Sequence, residues 1–159
     1  MALNLVALRN SLQNLLDKNN TTTSSYDISS GLNVRVQQII RGDPEQKPIP
    51  NNMYPTVFVK LNGLAQEIGV IGNNAKREHE IVFSIIPITN YGASIGLDTA
   101  EDEIIRLSQN IETLIRNKIT LSSTVDFVET IVTNYETIGE EETWNKVSNI
   151  ELNCKKWSS

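Results

Sequence analysis

The chain has 159 residues, 39% of them hydrophobic and 21% charged, and a net charge of −5. That length and composition predict one globular domain over residues 1–159 with a core of its own, and no apolar run reaches the about 18–20 residues of a membrane span. A single cysteine, Cys154, excludes an intrachain disulfide and a cysteine-based zinc cluster.

In chain order, Leu5, Leu8, Leu12, Leu15 and Leu16 recur at helical spacing and predict an amphipathic helix over Ala2–Lys18. Asn, Arg and Gln interrupt its leucines and no positive region precedes them, so the segment reads as a helix and not as a signal peptide. The expected birthplace is the cytoplasm. NNTTTSS ends the helix. A strand is expected over residues 33–41 (NVRVQQIIR), rich in β-branched side chains. Residues 42–55 follow with four of the five prolines, an extended and semi-rigid loop. TVFVKL (Thr56–Leu61) predicts a second strand, and the glycines of residues 62–75 predict a long loop or hairpin arm.

Lys76–Ile88 carries apolar side chains on both faces, which places it centrally in a sheet, with Pro87 expected to end its pairing. Asp98–Asn117 has the strongest helical pattern, with Ile104, Leu107, Ile111, Leu114 and Ile115 as the buried stripe. Asp98 and Glu101 read as a capping box at its start. Val125–Glu136 and Thr143–Trp157 predict two closing strands joined by an acidic loop around Gly139. Helix, three strands, helix, two strands is an α+β order: an antiparallel or mixed sheet of about five strands with both helices packed on it.

Chemistry-bearing residues are sparse. His79 is the only histidine, and its neighbours Glu78 and Glu80 point to the opposite face of its strand, so a surface or structural role is expected for it. Cys154 lies in an apolar alternation and reads as a small core residue. Glu140, Glu141 and Glu142 adjoin without a calcium-loop spacing and read as a hydrated turn. No phosphate-binding glycine loop, zinc-helix motif or nucleophile elbow occurs. Trp144 and Trp157 bracket the last strand as core or interface aromatics. No catalytic, metal-binding or cofactor-binding residue is therefore expected, and no enzyme. Charge is uneven: residues 98–142 hold eleven carboxylates against Arg106, Arg116 and Lys118, a local net of −8, whereas residues 1–60 hold six basic and four acidic side chains. Such a chain lacks the clustered cations that grip nucleic acid.

Four features then stand in order: the amphipathic N-terminal helix, V-R-V-x-x-I, the Pro-rich loop ending in Y-P-x-V-F-V (Tyr54–Val59), and the charged strand E-x-E-I-x-F-x-I (Glu78–Ile85). With the capped helix and the closing strand pair, this pattern resembles the tail terminator and tail-completion proteins of long-tailed bacteriophages, and more loosely the neck proteins that share their fold. The resemblance covers nearly the whole chain. It implies a non-enzymatic virion protein of the tail–neck region: a subunit of a homo-oligomeric, usually hexameric ring that ends the tail tube and meets the head–neck connector. DNA would pass through the ring without specific binding, and no membrane or cofactor is involved. Another neck, head-completion or baseplate adaptor is the nearest alternative, and a small ligand-binding or hydrolytic domain a more distant one. Ile49, Met53, Leu64, Val70 and Ile71, in the two long loops, are the candidate intersubunit contacts.

Overall fold

The computed structural model describes residues 3–44, 49–68, 77–91, 97–140 and 143–158. Helix α1 spans Leu5–Lys18, starting at the first leucine of the stripe and later than the expected Ala2, because Asn4 caps it. The Asn4 side chain accepts from the Ala7 amide at 3.0 Å, satisfying one of the free donors of the first turn. Leu8, Leu12, Leu15 and Leu16 are buried.

The expected strand over 33–41 shortens to β1, Gln38–Arg41. Upstream of it, side chains take up the backbone groups that a ladder would have used. Val36 donates its amide to Ser29 Oγ at 3.0 Å and accepts from Asn20 Nδ2 at 3.0 Å. The Asp27 carboxylate holds both Arg35 Nη groups, at 2.7 and 2.9 Å.

Strand β1 pairs in parallel with β2 (Thr56–Ile68), and β2 pairs antiparallel with β3 (Arg77–Tyr91). Of the loop or hairpin arm expected over residues 62–75, the described part is an arm: β2 stays paired with β3 as far as Ile68, with a register irregularity between Leu61 and Gly63. Pro87 does not end β3. It sits opposite Val57 in the β2 ladder, and the β5 ladder passes from Ile85–Ile150 directly to Ile88–Val147. That break in the β5 ladder accommodates the missing amide donor of proline.

Helix α2 spans Leu97–Asn117, so Asp98 lies inside the first turn instead of capping it. There its carboxylate still meets the positive end of the helix dipole. Strands β4 (Phe127–Glu140) and β5 (Thr143–Ser158) form the closing antiparallel pair. β4 runs to Glu140, so the span around Gly139 that reads as a loop is strand.

The sheet is mixed and five-stranded, in the order β1-β2-β3-β5-β4, an α+β fold. α1 lies against β1 and β2, and α2 against β3 and β5. Beneath them Val57, Val59, Ile81, Phe83, Ile85, Ile150, Leu152 and Cys154 form the main core with the leucine and isoleucine stripes of both helices. A polar pair crosses this layer: Ser108 Oγ donates to the Ile104 carbonyl at 2.7 Å and lies 2.6 Å from Ser148 Oγ. The single Ser108 proton being used, Ser148 is the donor between them. A smaller cluster, Phe58, Ile88 and Val147 with Ile40, Ile49, Tyr54 and Ile86, lies on the opposite face of the sheet. Among the described residues no helix is long and apolar enough to cross a membrane.

Candidate assembly surface

His79 is buried in the sheet, opposite Lys156 on β5, so the structural half of its expectation applies and the surface half does not. Glu78 and Glu80 lie on the other face, where Lys155 Nζ binds them at 3.2 and 3.4 Å. Cys154 is fully buried opposite Ile81 and Val128, and burial pushes its thiol up to about 12. A thiol in that state is no nucleophile at neutral pH. Among the described residues, no group of three or more His, Cys, Asp or Glu side chains could hold a metal ion. Glu141 and Glu142 lie outside the described residues.

The helix-free face of the sheet has two halves. Over one, the Pro-rich loop returns and leaves a concavity of about 430 Å³. Ile86, Ile88 and Val147 form its floor, Ile49 and Tyr54 one wall, and Asn145, Asn149 and Glu136 supply polar groups. Burial raises the Tyr54 phenol above its ordinary value, with the Asn145 side chain opposing the shift. Lys60 Nζ and Asp43 close one side at 2.8 Å. The other half is acidic. Lys155 serves Glu78, Glu80 and, at 3.8 Å, Glu129, which leaves two negative charges uncompensated in that group. The amide of Asn153 and then the ammonium of Lys155 hold the Glu80 carboxyl below its usual value.

Among the described residues the sheet ends on one side in β4, which has only β5 as a strand neighbour. Long edges are ordinarily blunted by lysine, proline or short length. β4 has fourteen residues and neither Lys, Arg nor Pro among them; a bulge between Val128 and Thr130 interrupts its register with β5. Phe127, Val132, Tyr135 and Ile138 are exposed along it, and Trp144 and Trp157 are exposed at the two ends of β5. These are six of the ten exposed large hydrophobic side chains among the described residues, so exposed apolar surface gathers at this edge. Sequence reasoning named Trp144 and Trp157 as core or interface aromatics and missed the four on β4. The available signal was the absence of Lys, Arg and Pro from FVETIVTNYETIGE together with its apolar residues on both faces.

Of the candidate contacts, Ile49 is half-buried against the Phe58 cluster and Met53 is half-buried in a short 3-10 turn, Asn51–Met53. Leu64 is exposed on β2, opposite Ile81. Val70 and Ile71 lie outside the described residues. Ile49 and Leu64 thus stand on different faces of the sheet, since Leu64 shares the face of Ile81.

No family model matches the chain, and no curated protein matches it. Among solved structures, it is similar to a chain of the virion of a native gene transfer agent particle, at 12% identity and a TM-score of 0.34, over 94% of this chain and 98% of that one. A likeness at that score carries no weight for function, which rests on the chain's own surfaces.

Proposed function

We propose that the chain is a structural virion protein of a phage-like particle, without enzymatic activity. Its place is in a homo-oligomeric ring that ends the tail tube and meets the head–neck connector. The observation that carries this is the β4 edge: a fourteen-residue strand with no second strand neighbour among the described residues, its Val128 amide taken by the Ile119 carbonyl and its Val132, Tyr135 and Ile138 side chains exposed. An edge of that kind is stable in solution when another strand or surface covers it. The chain's order of elements, which resembles tail terminators, supports the ring over other assemblies. The acidic half of the sheet fits a surface past which DNA slides, because its carboxylates repel phosphate. Leu64 on β2, together with Ile49, Met53, Val70 and Ile71, is a further candidate contact.

The test is to incubate purified chain with phage tail tubes and image the tubes by negative stain. A collar of added density at one tube end is the expected result. Bare ends at saturating protein would remove the tail role. A second function is favoured by the concavity at Ile86, Ile88 and Val147, whose size suits a small ligand. Saturable binding of an apolar dye displaced by Val147→Trp, with no oligomer at any concentration, would favour that function instead.

A further inference from the structure

The two edges of the sheet are unlike in charge and complementary in direction. β4 is acidic: Glu129 is shared with Lys155, and Glu136 is exposed with no ion pair among the described residues. The opposite edge is formed by β1 with α1 flanking it, Gln13 Nε2 donating to the Ile39 carbonyl at 2.8 Å. Here the surplus is basic. Asp27 is engaged by Arg35 and Asp43 by Lys60, while among the described residues Arg9, Lys18 and Arg41 form no ion pair, against Asp17 alone of the carboxylates there. Arg41 Nη1 donates to Asn10 Oδ1 at 2.9 Å, which holds its guanidinium against α1. One turn before Asn10 on the helix, Val6 is 59% exposed. One edge is thus apolar and acidic, the other apolar and basic.

Geometry agrees with charge. β1 and β2 are parallel to one another, and the three remaining pairings of the sheet are antiparallel, so β4 runs opposite to β1 and β2. A second copy set beside the first in the same orientation therefore brings its β1–β2 side antiparallel to β4. The four residues of β1 do not limit this edge. Beyond Val59 no strand among the described residues pairs with the outer side of β2, so the edge continues one step inward along Lys60–Ile68. A β4-to-β4 contact would instead bring two acidic strands together, at a cost in charge repulsion.

We infer that the occupant of the β4 edge is the α1–β1 side of a second copy of this chain, in a head-to-tail contact that repeats around the ring. The inference rests on the ring function proposed above. Contacts of this heterologous kind close into rings when the rotation between copies allows.

Charge reversal tests it. Glu136→Lys/Ile138→Lys changes the β4 edge, and Arg41→Glu changes the other; all three side chains are exposed, so both variants should keep the circular dichroism of the parent. Light scattering is expected to find the parent assembled, each variant alone monomeric, and an equimolar mixture of the two assembled again. Assembly of the Arg41→Glu variant at the parent's concentration would overturn the head-to-tail contact and leave the ring standing. So would a β4 variant that still assembles, or a mixture of folded variants that stays monomeric. A parent that is monomeric at every concentration overturns this contact and the ring together.

Discussion

Cys154 has two consequences at the scale of single residues. Its thiol is buried among Ile81 and Val128 and held at about 12, so it should resist a thiol reagent at pH 8 in the native chain and react fully once denatured. Rapid native labelling would show that the β4–β5 pair opens readily. Cys154→Ser would bury a hydroxyl in place of an apolar sulfur and should lower stability by about 1–3 kcal/mol. Asp27 makes a different prediction. The hydrogen bond from Arg35 comes first among the causes that hold its carboxyl below the ordinary value. A depressed carboxyl contributes stability above its unfolded value, about 3.9, and loses it as pH falls through the folded one. Arg35 is partly exposed, so the contribution at pH 7 is about 1 kcal/mol. Asp27→Asn should lose that much in urea denaturation at pH 7 and progressively less at acid pH, as the carboxylate of the parent protonates. An equal loss at both would mean that the contact matters for shape alone.

Among the elements, α2 carries the most core. Ile111 is fully buried at the middle of its stripe, and Ile111→Ala should lower stability by about 2–5 kcal/mol, read as a shifted denaturation midpoint. A shift no larger than that of the exposed Gln109→Ala would mean that the helix packs by another face. This helix was legible because its pattern is local: five apolar residues at a period of 3.6 need no partner to be recognised. Its start was not, since a capping box and a first-turn carboxylate share one sequence signature and only the backbone separates them. The strand at 33–41 was overcalled for a related reason. NVRVQQIIR has strand composition, but Ser29, Asn20 and Asp27 supply its backbone and Arg35 with closer partners. For residues 62–75 the glycines suit a loop and a hairpin arm alike, and only the ladder, which absorbs Gly63 at a register irregularity, separates the two. Excising residues 64–68 would consequently remove the strand partner of Arg77–Ile81.

At the scale of the molecule, the fold class was written in the order of elements, but the surface now proposed for assembly was not. VDFVETIVTNYE has apolar residues on both faces and would suit a central strand equally well. β4 becomes an edge because β5 inserts between it and β3, a non-local pairing that no window of sequence displays. The loop residues Ile49 and Met53 stood out by composition, yet Ile49 spends its apolar surface on its own sheet. What the sequence did display was charge asymmetry, and the topology turns it into two opposed edges. The central claim is self-assembly, and the native mass of the chain tests it most directly. Native mass spectrometry over a hundredfold range of concentration should find one species at a fixed integer multiple of 17.8 kDa, with no ladder of open intermediates at the upper end. A mass of 17.8 kDa throughout would contradict the account.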